Sequence, residues 1–379
     1  QGQRQVTGRP FDPIPRVLSA KTFTHLEQGL IQRINALNIF LNDIYHNRMI
    51  LRDGKIPEEF VLSSLDFRTQ CMGIAPPKSI YTHITATDLV CSTKGKWYAM
   101  EDSLSVPDGA TYPHFARKLC REIAPENYQV PELCDNCGLD ILLRQLYRDI
   151  MDDDPELEGG IVVLLSEGKD ALSYFELRYM AELTGAVVAE AERLIVMDNK
   201  VYYRAPEGGF QRVAIIHRLA LDSMLDPLCF DENTPCGIPH LMEAYSAGHI
   251  AILNAPGCSL AEDRGLHYFI PTMIRYYLNE EPILPNVPTF LPWYADQKKY
   301  VLEHMDSLIF KDVSSDRRAG AVYGDTLTTE EKRQLARRIN KEPRRYIAQN
   351  QIEVETQPVL GEDGVSTSEA KCDFRAYTV

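Results

Sequence analysis

The chain has 379 residues, 44% of them hydrophobic and 25% charged, with a formal net charge of -14. That length accommodates two or three lobes, each with its own core. The acidic balance argues against general nucleic-acid binding, which needs a basic footprint, and no run reaches the ~18–20 apolar residues of a membrane helix. The start, QGQRQVTGRPFDPIPR, has neither a signal-peptide apolar core nor an initiator Met, so further sequence is expected upstream. Nine cysteines, odd in number and without framework spacing, suit free thiols in a reducing cytoplasm. Cys134 and Cys137 form one isolated CxxC, which reads either as loop cysteines or as a zinc or redox pair.

In chain order, the first 20 residues are punctuated by Pro and read as extended. From Phe23 to Tyr45, Leu26, Leu30, Ile34, Leu37, Leu41 and Ile44 recur at spacings of three and four, which predicts a strongly amphipathic helix. Tyr81–Val90 and Lys96–Met100 read as two strands joined by Ser92-Thr93-Lys94-Gly95, a hairpin carrying Asp88 and Glu101. Helices follow to Met151, and MDDDPELEGG reads as a linker.

Ile161–Leu165 is a continuous aliphatic run, as expected of a strand buried on both faces. A helix over Leu172–Leu183 comes next, then strands near Val187, at Leu194–Met197, Val201–Arg204, Val213–Ile216 and Ile250–Asn254, and a helix over Glu262–Leu278. This β-α-β rhythm predicts a small Rossmann-like lobe. The Pro-rich EEPILPNVPTF reads as a rigid connector. A strand at Ser307–Lys311 and a polar loop with Gly320 and Gly324 precede a helix that ends at Asn340 and opens on a capping box of Thr328 and Glu331. Strands close the chain at Tyr346–Gln349 and Asp373–Tyr377, with Gly361–Ala370 read as a mobile loop.

Three constellations could carry chemistry. Asp88 and Glu101 share the hairpin, and Ser103 shares a strand face with Glu101, so Glu101 and Ser103 could both meet one hard cation; surface acids are the plain alternative. Lys311 ends a buried strand before a small-residue loop, where it could reach phosphate or simply snorkel to solvent. Arg375 lies within a hydrophobic strand, where a guanidinium needs an anionic partner, either a carboxylate or a bound phosphate.

The order FDPIPR, LEQGLIQRINALNIFLNDIY, DLV…KWYAMEDSLSVPDG, SYFE, LDPL, YYLNEEPILPNVPTF and YIAQ resembles the circularly permuted ATP-grasp family (type 2) related to glutathionylspermidine synthetases, over about Arg9 to Arg375. Proteins of that family usually extend further at both ends, so a core piece is expected. The resemblance implies an α+β fold of the permuted ATP-grasp type with a Rossmann-like (pre-ATP-grasp) α/β lobe. Residues 1–150 would form the N-terminal part of the core with the metal hairpin, 155–290 the substrate lobe, and 296–379 the ATP lobe with phosphate loop and hinge. The implied activity is an ATP- and Mg²⁺-dependent carboxylate–amine ligase working through an acyl phosphate on a small acid or peptide. A protein partner from the same pathway is also expected.

Mapped onto this chain, the resemblance assigns Asp88, Glu101 and Ser103 to metal, and Lys311, Gly320, Gly324, Ile347 and Gln349 to ATP. Arg375 and Lys311 would act on the transferring phosphoryl group, and Glu176, Asp222 and Asn254 on the acceptor side. The chain departs from the family pattern at polar positions. Ser103 replaces an Asn, Cys91 an Arg, His217-Arg218-Leu219 an Arg-Arg pair and Glu262-Asp263-Arg264 an Asp-Asp-Lys, while the Arg318–Gly324 loop is bulkier than Gly-Gly-x-Gly. Either the substrate and metal geometry have diverged, or the site has decayed into a binding or regulatory scaffold. A kinase that stops at phosphoryl transfer is a third reading.

Overall fold

The computed structural model describes residues 12, 14–123, 125–128, 138–234, 237–313, 320–361 and 366–379. The isolated CxxC and the segment 314–319 lie outside these residues. The long helix Ala20–Tyr45 starts where the Ser19 side chain accepts from the Thr22 amide. Its predicted stripe is the buried one: Leu37, Leu41 and Ile44 are fully enclosed in the main core, joined there by Phe40, each worth about 1.5–3 kcal/mol of transfer free energy. Gly29 lets this helix approach the 280–290 connector, since a Cβ there would lie 2.7 Å from Leu284 Cβ.

The strands, in chain order, are β1 (Thr85–Cys91), β2 (Trp97–Ser103), β3 (Ile161–Ser166), β4 (Val187–Glu190), β5 (Leu194–Met197), β6 (Lys200–Arg204), β7 (Phe210–Arg218), β8 (Ala251–Leu253), β9 (Thr289–Phe290), β10 (Leu308–Asp312), β11 (Val322–Tyr323), β12 (Tyr346–Asn350), β13 (Thr356–Leu360), β14 (Thr367–Lys371) and β15 (Asp373–Thr378). They form an antiparallel sheet β15-β1-β2, a mixed sheet β4-β3-β7-β6-β5 with β8 also on β7, an antiparallel sheet β11-β10-β12-β9, and the hairpin β13-β14. β7 runs longer than its aliphatic core. Its last residues pair in parallel with β3 and β8, and its first three pair antiparallel with β6. Val163, Leu164 and Leu165 of β3 are buried, as a strand flanked on both faces requires.

Three expectations need correction. The helix expected over Glu262–Leu278 is broken into Arg264–His267, Ile270–Met273 and a π-turn over Ile274–Leu278. Asp263 caps the first piece through the amides of Gly265 and Leu266, and Pro271, with no N–H to give, opens the second. The segment read as a mobile loop contributes β14, whose pairing with β13 gives a polar, exposed sequence a ladder to join. The second half of the polar loop holds the short strand β11 rather than free backbone.

The capping box forms as expected. Thr328 Oγ1 accepts from the Glu331 amide while Glu331 accepts from the Thr328 amide. The EEPILPNVPTF connector is stitched in place by Gln32, which bonds Glu280, the Glu281 carbonyl and the Ile283 amide. It is held on its other side by backbone bonds of Ala99 to Pro285 and Val287.

Candidate functional site

Neighbouring carboxylates on β2 serve opposite faces, and a bulge sets which. The register pairs Asp88 with Glu101 but Leu89 with Ala99, leaving Met100 as the extra residue. That insertion reverses the parity of the strand. Asp102 therefore joins Ala99, Leu89 and Thr87 on the face packed against the long helix, while Glu101 turns to the other face beside Asp88.

On the packed face Asp102 accepts two bonds from Arg33 (2.8 and 2.7 Å) and one from Thr87 Oγ1 (3.0 Å). Both partners of this ion pair are almost fully buried. Burial pushes the Asp102 carboxyl up, but the Arg33 guanidinium beside it outweighs that and holds it well below the usual range.

On the other face, Glu101 bonds Arg264 Nε and lies 3.5 Å from Lys311 Nζ. Burial raises its carboxyl too, and Lys311 with Arg264 overcomes that and holds it ionised below its ordinary value. Lys311 arrives by strand register. It pairs with Ile347 and Ile309 pairs with Gln349 across β10 and β12, so these four share one face, while Phe310 and Ala348 point into the core behind. Arg264 also donates to the Asp312 carbonyl (2.9 Å), tying the hairpin to β10. Glu262, two residues earlier, receives the Leu104 and Ser105 amides and the Ser105 hydroxyl, which fixes the end of the hairpin.

The result is one narrow cleft lined by Glu101, Arg264, His267, Lys311, Ile347 and Gln349, among others. Its free space is about 10 Å³, room for roughly one water. Gln349 is buried at its wall and donates to Thr289 Oγ1 at 3.1 Å. Segments more than 200 residues apart thus bring acids and cations together at a single place.

The remaining expected residues stand at or beyond its edge. Arg375 is the register partner of Asp88 and binds it in bidentate fashion (2.7 and 3.0 Å), so a protein carboxylate answers the question of its anion. Arg375, Asp88 and Glu101 form a row across the three strands, of which only Glu101 lines the cleft. Ser103 shares their face, but its hydroxyl donates to the Val106 carbonyl. Among the described residues no group of three or more His, Cys, Asp or Glu side chains gathers as a metal cage.

Gly320 is exposed, and a Cβ there would meet nothing within 4 Å among the described residues. Gly324 is explained by packing, because a Cβ there would meet the Met305 carbonyl oxygen at 1.7 Å. Glu176, Asp222 and Asn254 lie away from the cleft with their polar atoms engaged by the framework. Glu176 receives the Gly109 and Thr111 amides, Asp222 receives Arg218, the Gly257 amide and Ser259, and Asn254 bonds backbone at His83, Ile84 and Leu104. Sequence reasoning noted Arg264 only as a substitution and missed His267 altogether. Their neighbours Glu262 and Asp263, acids in a stretch otherwise read as plain helix, were the available signal.

With this geometry in hand, the class is set by the family comparison. The chain belongs to the circularly permuted ATP-grasp type 2 family, whose model matches residues 15–379. An uncharacterized protein of Synechocystis sp. is 37% identical over 97% of this chain and 76% of that protein. An uncharacterized protein of Mycobacterium tuberculosis is 34% identical over 92% of this chain and 63% of its own length. A Frankia casuarinae protein named "Putative glutamate--cysteine ligase 2-2" is 32% identical over 92% of this chain, which spans 40% of it. The chain is therefore shorter than these relatives, spanning less than two thirds of the second and third. Among solved structures, a glutathione synthetase-like effector from Globodera pallida has the same fold at a TM-score of 0.56, with 11% identity over 91% of this chain and 74% of that one. The six cysteines among the described residues that are free thiols are Cys71, Cys91, Cys120, Cys229, Cys258 and Cys372, and no described helix is long and apolar enough to cross a membrane.

Proposed function

We propose that this chain is the core of an ATP- and Mg²⁺-dependent carboxylate–amine ligase acting on a small acid or peptide. The observation that carries this reading is the cleft in which Glu101 confronts Lys311 and Arg264 next to Gln349. Fixed cations at close quarters to an ionised carboxylate suit a triphosphate and its metal, where catalysis rests on positioning and charge. In this reading Lys311 and Arg264 bind phosphate oxygens, and Ile347 and Gln349 flank the base.

The donor set fits magnesium. Asp88 and Glu101 are cross-strand partners on one face, and magnesium is commonly held by one or two carboxylates plus substrate phosphates. When bound, the ion would supply charge neutralisation across the phosphates. The Arg375–Asp88 pair holds Asp88 beside Glu101, outside the lining of the cleft, and in this reading Arg375 would exchange Asp88 for the transferring phosphoryl group. The reaction we infer activates a carboxylate as its acyl phosphate, which an amine then displaces. The division into 1–150, a Rossmann-like 155–290 and an ATP lobe at 296–379 belongs to the same proposal, as do a cytoplasmic setting and a partner from the same pathway.

The test is incubation of the protein with ATP, Mg²⁺ and candidate acid–amine pairs, following ADP and phosphate. Coupled release of both that depends on acid and amine supports the ligase. No nucleotide binding at millimolar concentration overturns it.

A further inference from the structure

His267 is the residue of the cleft whose chemistry is left open. It is 5% exposed and lines the cleft with Glu101 and Lys311. Its Nδ1 lies 3.0 Å from Arg33 Nη2 and 3.4 Å from Asp102 Oδ2, while its Nε2 is buried and has no hydrogen-bond partner. A guanidinium can only donate, so the contact with Arg33 makes Nδ1 the acceptor and puts the ring proton on Nε2. The open atom is therefore an N–H donor. It belongs to a group of donors: the Lys311 ammonium and the Arg264 guanidinium both face the same space. A buried donor without a partner is costly and rare, and three donors turned on one place suit an anionic oxygen.

We propose that His267 is a ligand-contacting residue of this cleft, its Nε2–H donating to a phosphate oxygen of the nucleotide that Lys311 and Arg264 hold. The inference rests on the nucleotide reading given above. The ring is locked from behind: Arg33 is fixed by Asp102 and by Asn286, whose own amide holds the His267 carbonyl. The donor is thus oriented before the ligand arrives, which is the condition for a hydrogen bond to a charged acceptor to contribute fully. The stretch Glu262–His267 then serves the cleft three times, with Glu262 securing the hairpin, Arg264 meeting Glu101 and His267 meeting the ligand.

Two substitutions separate the donor from the packing. In His267→Asn the side-chain oxygen keeps an acceptor for Arg33 and the Nε2 donor is removed. In His267→Gln a donor is kept at the distal position. Binding of Mg²⁺–ATP to the full chain is measured by calorimetry, with melting temperature as the control for folding. The expected result is a roughly 10- to 100-fold loss of affinity in the Asn variant, as for one hydrogen bond to a charged group, with the Gln variant within about threefold of the parent.

A His267→Asn variant that binds within threefold of the parent overturns the inference and leaves the ligase reading standing. Equal losses in both variants also overturn it. A parent chain that binds no Mg²⁺–ATP overturns both. Should the Asn variant fail to fold, the imidazole Nε2–H resonance of the parent decides: it shifts on adding Mg²⁺–ATP if the donor is engaged, and an unmoved resonance refutes the contact.

Discussion

Replacing Asp102 by Asn should destabilise the protein far more than replacing Asp88 by Asn, although each residue holds an arginine in bidentate fashion. The difference lies in burial. The side chains of Arg33 and Asp102 are 1% and 2% exposed, whereas those of Arg375 and Asp88 are 38% and 22% exposed. The Asp102→Asn change would leave the Arg33 guanidinium enclosed with no counter-charge, a loss of about 3–5 kcal/mol. The Asp88→Asn change breaks a pair that solvent already screens, at a cost of up to about 1 kcal/mol. On the scaling for domains of 150–250 residues, the first corresponds to a fall in melting temperature of roughly 6–20 °C and the second to no more than about 4 °C.

Tryptophan fluorescence is a suitable probe. One of the two tryptophans, Trp97, lies on β2 and packs edge-on against Phe374 of β15, so the signal follows the sheet that both aspartates share. Equal shifts for the two variants would refute the assignment of Asp102 to a dry interior. A double variant with Arg33→Met and Asp102→Leu should recover much of the loss, because it removes both charges together.

Burial first, and then Arg218 and His83, push the His217 imidazole down to about 4 from an ordinary value of 6.5. Between pH 4 and 6.5 the unfolded chain binds the extra proton, so stability is complete above about pH 6.5 and falls by about 3 kcal/mol as pH drops through 4; urea unfolding across that window should lose one proton of slope in His217→Asn. Lys311→Met should weaken Mg²⁺–ATP binding by roughly 10- to 100-fold while moving the melting temperature little, and unchanged calorimetric affinity would count against the proposed phosphate role. Gly324→Ala should destabilise by about 2 kcal/mol or more, since its Cβ would have to displace the Met305 carbonyl; a melting curve like that of the parent would contradict the packing.

Elements whose signal is local were legible in the sequence. The long helix follows from six aliphatic residues at helical spacing, β3 from an uninterrupted aliphatic run, and the helix Thr329–Lys341 from its capping box. The convergence of Glu101, Lys311, Ile347 and Gln349 on one cleft followed from the family order of segments, not from any local pattern. What stayed hidden depends on contacts across the chain. The Met100 bulge exists only with respect to β1, so nothing within β2 announces which acid turns inward. His267 and Arg264 enter the site because the expected helix is cut at Asp263 and Pro271 and redirected. Asn254, Asp222 and Glu176 looked like polar residues near turns, and only the fold reveals them as internal braces.

The Arg264 side chain grips Glu101 and the Asp312 carbonyl at once, and the gap behind it is about 10 Å³. A guest as large as a nucleotide has to part that clasp before it can sit down. On the nucleotide reading proposed above, entry would require β10 and the hairpin to part, so the observed rate of association should level off at high ligand concentration instead of climbing in proportion. Shortening the clasp to lysine would raise that plateau.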